Sequence, residues 1–92
     1  MANEFPTTVD AAVRLLMSMV EESEQAKIAA MDTYDIYTLH FGLGLWVRNH
    51  MGFYAGNAQL LQDSGETEPD DASMVIMCAF RDRLRADQPE IH

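Results

Sequence analysis

Thr33-Tyr34-Asp35-Ile36-Tyr37-Thr38-Leu39-His40-Phe41-Gly42-Leu43-Gly44-Leu45-Trp46-Val47-Arg48-Asn49-His50-Met51 is the stretch that decides the fold. Ile36, Leu39, His40, Leu43, Val47 and Met51 recur at steps of three and four, the spacing of one helical face. Tyr37, Phe41, Leu45 and Trp46 widen that face, and a helix apolar nearly all round is a buried one. Thr33 suits the N-terminus, and Asp35 stands in the first turn, where the helix dipole favours a carboxylate. Gly52 fits the position just past the end, with Phe53 or Tyr54 packing back across it. The spacing predicts one central helix over about 33–51, with the rest of the chain arranged around it.

Working outward, Thr8 is a good N-cap for a first helix, preceded by Pro6 and followed by Asp10 in the first turn. Val9, Ala12, Val13, Leu16, Met17 and Val20 carry the same three- and four-residue rhythm. Glu21, Glu22 and Glu24 then oppose the dipole of a helix end, so the first helix stops near them. Ser23 to Met31 reads as a short second helix, either separate from the first or continuous with it. Beyond Gly52, Gly56-Asn57 opens a short piece through Ala58, Leu60 and Leu61. Residues 63–71 hold Asp63, Glu66, Glu68, Asp70 and Asp71 with a Gly, a Pro and no basic residue, the mark of a solvated loop. Asp70 or Asp71 caps a last helix in which Val75, Ile76, Ala79, Phe80 and Leu84 turn inward and Arg81, Arg83 and Arg85 gather at the C-terminal end. No stretch alternates with period two. The expected fold is all-α: one single helical domain over residues 1–92, four to five helices, with 1–7 and 87–92 fraying.

Composition bounds the function. Fifteen Asp and Glu against six Lys and Arg give a formal charge of −9. Nucleic acid binding needs a basic surface that displaces counterions, so a direct nucleic-acid partner is not expected. A basic amphipathic face for anionic lipid is absent too, and no apolar run approaches the ~20 residues that span a bilayer. The first residues lack the basic and apolar regions of a signal peptide, so the expected location is cytoplasmic. Cys78 is the sole cysteine and lies between Met77 and Ala79, where it reads as a small buried hydrophobe and not as a nucleophile. His40 and His50 are ten residues apart and unsuited to a shared metal, and the acids of the 63–71 loop lack the spacing and closing bidentate Glu of an EF-hand. No cofactor, no metal and no enzymatic activity are expected.

On a continuous helix His40, Gly44 and Arg48 form a single row with a side-chain gap at its centre. Glycine inside a helix costs about 0.5–1 kcal/mol against alanine, so Gly42 and Gly44 point to packing or binding. Two roles fit the row. The gap could grip an anion or a partner's side chain through the Arg48 fork. Otherwise another helix backs against Gly44 while Arg48 pairs internally with Asp70 or Asp71 and His40 bonds a backbone carbonyl, the favoured alternative because buried polar groups need partners.

His40, Gly44, Arg48-Asn49 and Gly52-Phe53, with Pro69-Asp70-Asp71-Ala72-Ser73 after them, resemble a family of small bacterial helical domains with no assigned activity. Its pattern runs His-x3-Gly-x3-Arg-Asn-x2-Gly, then Pro-Asp-Asp-x-Ser, and the likeness spans roughly Asp32 to Leu84. Phe53 stands where leucine is commoner in the family. The resemblance implies a helical fold and places Arg48 with Asp70 and Asp71 in one constellation, while His40, Gly44, Arg48 and Asn49 stand as a structural constellation or a ligand notch.

Three functional classes follow. The favoured one is a small acidic inhibitor or sequestering factor that occupies a basic surface of a protein partner: an antitoxin, an immunity protein or a phage-encoded blocker of a nucleic-acid-handling defence complex, such as an anti-CRISPR, in the bacterial host cell. Its working carboxylates would be Glu21, Glu22, Glu24, Asp32, Asp35, Asp63, Glu66, Glu68, Asp70 and Asp71. Tyr34 and Tyr37 would form an exposed aromatic patch beside them, with Trp46 in the core. A homodimeric accessory subunit is the alternative, because Met17, Met19, Met31, Met51, Met74 and Met77 exceed what one small core comfortably takes. A ligand binder or enzyme using His40 and Arg48 is the third.

Overall fold

Residues 5–87 are described by the computed structural model. Helix α1 (Val9–Met19) starts where expected: the Thr8 hydroxyl accepts from the Ala11 amide at 3.0 Å, and Asp10 lies in the first turn. The chain turns extended at Val20, and α2 (Glu22–Ala29) is a separate helix. Gln25 Nε2 donates to the carbonyls of Met17 and Val20 at 3.1 and 2.8 Å, so the end of α1 is satisfied by a side chain of α2. The break also changes the role of the glutamates. Glu22 and Glu24 fall in the first turn of α2, where the dipole stabilises them, and do not trail α1.

The expected single helix over 33–51 is two helices, α3 (Thr33–Tyr37) and α4 (Leu43–His50). Asp32 caps α3 in a reciprocal capping box with Asp35. After Tyr37 the backbone tightens into three-residue turns, from Leu39 N to the Ile36 carbonyl and from His40 N to that of Tyr37. Gly42, at φ −107° and ψ −101°, leaves helical geometry, and the amides of Gly42 and Gly44 both donate to the Leu39 carbonyl. Two glycines within three residues remove the propensity that would hold a helix through this point. The rhythm of the apolar residues survives the break, which is why periodicity alone runs across it. Its outer members do not stay inside: Tyr37, Phe41 and Leu45 are exposed and Trp46 is half-buried.

A single turn of 3-10 helix at Phe53–Ala55 and α5 (Ala58–Ser64) lead to α6 (Pro69–Asp87). Pro69, which has no amide hydrogen to lose, opens α6, and Asp70 and Asp71 occupy its first turn. The hub of the fold is α6 and not the 33–51 region. All five other α-helices pack on it, and it supplies Ile76, Met77, Phe80 and Leu84 to the core. Leu16 of α1, Ile28 of α2, Ile36 of α3, Val47 of α4 and Leu60 of α5 close on those residues. Each fully buried side chain of this size contributes about 1.5–3 kcal/mol. From the same helix Arg85 reaches back to α2 and donates to the carbonyls of Ala29 and Met31 at 2.7 and 2.6 Å, a cation at a helix C-terminus. The chain is therefore all-α, with six α-helices where four or five were expected, and among the described residues there is no strand. No described helix is long and apolar enough to cross a membrane. Of the ends expected to fray, Phe5 and Pro6 are half-buried, and residues 88–92 lie outside the described residues.

Gly52 joins the N-terminal segment to this framework. Its φ of +85° is a left-handed conformation, and a Cβ there would sit 2.5 Å from Phe5 Cδ2 and 3.0 Å from Asn57 Cβ. Asn57 in turn donates to the Pro6 and Met51 carbonyls, each at 2.8 Å. Gly65 has a similar φ of +80° but open space around it. Gly65→Ala should therefore cost only the backbone strain of about 1–2 kcal/mol, and Gly52→Ala that strain plus overpacking, about 2–4 kcal/mol. Urea denaturation of the two variants should show a clearly lower midpoint for Gly52→Ala, and coincident midpoints would contradict the packing of Phe5.

Candidate functional site

Arg48 is a charged residue in a buried position, 4% exposed, and every nitrogen of its guanidinium has a partner. Nε lies 3.3 Å from Asp70 Oδ1. Nη1 donates to Ser73 Oγ at 3.1 Å and faces His40 Nδ1 at 3.4 Å, while Nη2 donates to the His40 carbonyl at 3.0 Å. Ser73 Oγ in turn donates a hydrogen bond to the Asp70 carbonyl at 2.8 Å. Arginine can only donate, so His40 Nδ1 accepts and the ring's hydrogen sits on Nε2, 4.0 Å from Asp70 Oδ2. One guanidinium thus ties α4, the 38–42 turns and the start of α6 together.

The helix break changes how this constellation is reached. His40 does not share a helix with Arg48; the turns fold it back beside the guanidinium. Gly44 leaves no open gap. A Cβ there would stand 3.0 Å from Met77 Cε, 3.1 Å from Arg48 Nη1 and 3.3 Å from the Leu39 carbonyl oxygen, so the space beside it is filled from within. Asn49 is exposed on α4.

The outer wall of the constellation is a groove. Tyr37, His40, Phe41, Glu66, Asp70, Asp71, Met74 and Val75 line about 780 Å³ of open space. Phe41 is 83% exposed and stands edge-on to the His40 ring, centroids 4.8 Å apart. Tyr37 is 63% exposed, and Tyr34 is exposed as well. The arrangement offers two aromatic faces and three carboxylates to a single occupant.

The ten carboxylates named from sequence divide by role. Asp70 pairs with Arg48, Asp32 and Asp35 cap α3, and Asp63 accepts from the Val9 amide at 2.7 Å. Glu24 pairs with Lys27 on the surface of α2, and Glu21, Glu22 and Glu24 form no part of the groove lining. Glu66 and Asp71 line the groove, and among the described residues no ion pair engages either of them. Glu68 is exposed beside them in the chain. Sequence reasoning placed Phe41 on a widened apolar face and turned Val75 inward, whereas both line the groove, and it did not name Met74 as a lining residue. The signal for Phe41 was its register, about 130° round a helix axis from the Ile36, His40, Leu43 and Val47 face.

A family model described as Domain of unknown function (DUF6794) matches residues 5–84. The chain belongs to this family. The match begins at the residue that packs on Gly52 and runs through Leu84, so it is wider than the Asp32–Leu84 likeness and holds the whole Arg48 constellation of the DUF6794 domain. No curated protein and no solved structure matches the chain.

Two further groups bear on chemistry. Cys78, expected to be buried, is half-buried, and that partial burial pushes its thiol above the ordinary value, the nearby Arg81 offsetting part of the rise and Asp82 adding to it. A thiol held protonated is a poor nucleophile. Among the described residues no cluster of three or more His, Cys, Asp or Glu is arranged to hold a metal. With a thiol-reactive chromogenic disulfide at pH 8, native Cys78 should react more slowly than the urea-unfolded chain, and equal rates would contradict the burial.

Truncating Arg48 should be costly. Breaking a wholly buried pair costs about 3–5 kcal/mol, but Asp70 is 63% exposed and stays hydrated, so Arg48→Ala should cost about 2–3 kcal/mol. Arg48→Lys should recover little, since one ammonium cannot serve Asp70, Ser73 and the His40 carbonyl together. Urea melts measure both, and an Arg48→Ala midpoint equal to wild type would contradict the account of the constellation.

Proposed function

We propose that this DUF6794 domain is a small acidic protein-binding module, an inhibitor or sequestering factor that occupies a basic surface of a protein partner. The observation that carries the proposal is the groove: exposed Phe41 and Tyr37 stand with Glu66 and Asp71, carboxylates with no cation of their own in the described ion pairs. Five of the six Lys and Arg are already engaged with carboxylates of the same chain, and Arg85 with helix-end carbonyls. The formal −9 is therefore not masked by a free basic face. Charge of one sign speeds encounter with the opposite sign, and aromatic side chains supply much of the affinity once contact is made.

Antitoxins, immunity proteins and phage-encoded blockers of nucleic-acid-handling complexes act in this manner, covering a basic channel with a small acidic surface. The dimer alternative has less to stand on. Of the six methionines behind it, Met51 and Met77 are buried, Met17, Met31 and Met74 are half-buried, and Met19 is exposed.

The test begins with a photo-crosslinking residue in place of Phe41, used in the native host to capture and identify the partner. Association with that partner is then followed by stopped flow at rising salt, for wild type, Glu66→Lys/Asp71→Lys and Glu21→Lys/Glu22→Lys/Glu24→Lys. Steering sums over a patch although single surface charges contribute little, about 0–1 kcal/mol each. The groove reversal should slow association by about tenfold or more, and the α2 reversal by less. An on-rate indifferent to salt and to both reversals would overturn the proposal.

A further inference from the structure

We infer that the groove's occupant is an arginine side chain on a segment of the protein partner, its guanidinium laid against Phe41 or Tyr37 and held by Asp71 and Glu66. This rests on the protein-binding reading above and specifies what that site recognises. The first support is charge. Glu66, Asp70 and Asp71 oppose only Arg48 and the start of α6, which is worth about half a positive charge, so the groove stays net negative. Asp70 and Asp71 are explained in part by their place in a first helical turn, but Glu66 precedes the helix and needs another account.

The second support is the rings. Phe41 at 83% exposure places a large apolar face in water beside that negative charge, and an aromatic face attracts a cation through its quadrupole. Its setting is also ordered. The His40 ring meets Phe41 edge-on, and His40 is fixed through its carbonyl and Nδ1 by buried Arg48, so little freedom remains to be lost when a ligand stacks there. A planar guanidinium is weakly hydrated, stacks on rings and forks onto carboxylates at the same time, whereas an ammonium is a compact, strongly hydrated point charge. A groove that offers flat rings and paired acceptors therefore favours arginine over lysine.

The test uses three acetylated, amidated hexapeptides of glycine and serine that carry two arginines, two lysines or two citrullines at the same positions. Each is titrated into the isotope-labelled full chain, and amide shifts are followed by NMR. The arginine peptide should shift Tyr37, Phe41, Glu66 and Asp71 and bind at least about fivefold more tightly than the lysine peptide, with citrulline weaker than both. Asp71→Asn should weaken the arginine peptide, and Phe41→Ala should bring it down to the lysine value. Both side chains are exposed, so Phe41→Ala should keep the wild-type melting temperature and Asp71→Asn, which removes a first-turn charge, should lower it by only about a few degrees, and Asp71→Asn alone still tests the site if Phe41→Ala does not. Equal affinity for arginine and lysine with shifts still in the groove would overturn this inference and leave the module reading intact. Shifts confined to the Glu21–Glu24 region would overturn the groove as the site. No binding of any peptide, together with the salt-indifferent association described above, would overturn both.

Discussion

A guanidinium almost wholly removed from water is expensive unless each of its donors is met, and at Arg48 segments far apart in sequence are arranged to meet them. Asp70 and Ser73 come from the first turns of α6, and His40 contributes a ring nitrogen and a backbone carbonyl from the turns before α4. The carbonyl matters most for the shape of the molecule. It is an atom any residue would present, but only a chain that leaves helical geometry between Tyr37 and Leu43 can aim it at Arg48. Gly42 permits the departure and Gly44 makes room for the guanidinium and Met77, so the loss of helix propensity at these two positions is offset by a satisfied charge.

From this requirement the exposed surface follows. Were the 33–51 stretch one straight helix, Phe41 would lie about 130° round the axis from the Ile36, His40, Leu43 and Val47 face, already turned from the core. The turns that bring His40 onto Arg48 set the exposed Phe41 ring edge-on against the His40 ring. The same ion pair holds Asp70, and with it the start of α6, so that Asp71 and Met74 line the opposite wall. The groove is the outside of a constellation whose inside is structural. That relation accounts for a ring 83% exposed on a 92-residue domain that needs its large apolar residues within.

Much of this was legible in the residues. The three- and four-residue rhythm, Thr8 as a cap, Asn57 ahead of a short helix and Gly52 past a helix end all express local physics and reappear in the fold. The pairing of Arg48 with the Asp70 region was legible as well, as the favoured of two roles for a cation in so apolar a stretch and as what the family resemblance implied. The break inside 33–51 was not, because hydrophobic periodicity records which residues face inward and is blind to a turn that preserves the phase. The rank of α6 as hub was hidden for a related reason. Its Ile76, Phe80 and Leu84 read as turning inward, but the pattern of one helix does not show how many neighbours close on it, nor that Arg85 and Arg81 serve α2 and Thr33. Whether a carboxylate caps a helix or faces a partner is set by tertiary placement, so the ten acids looked alike in sequence and separate only in the structure.

The central claim is that Arg48 orders the 38–42 turns and through them presents the groove. Amide hydrogen exchange in wild type and Arg48→Met tests it most directly, because methionine keeps the apolar stem and removes only the donors. The account predicts that the amides of Gly42 and Gly44, both bonded to the Leu39 carbonyl, lose protection by at least about tenfold more than those of α1, which fall only with the global stability. Protection at Gly42 and Gly44 unchanged by Arg48→Met would contradict it, and the turns would then owe their order to something other than the buried charge.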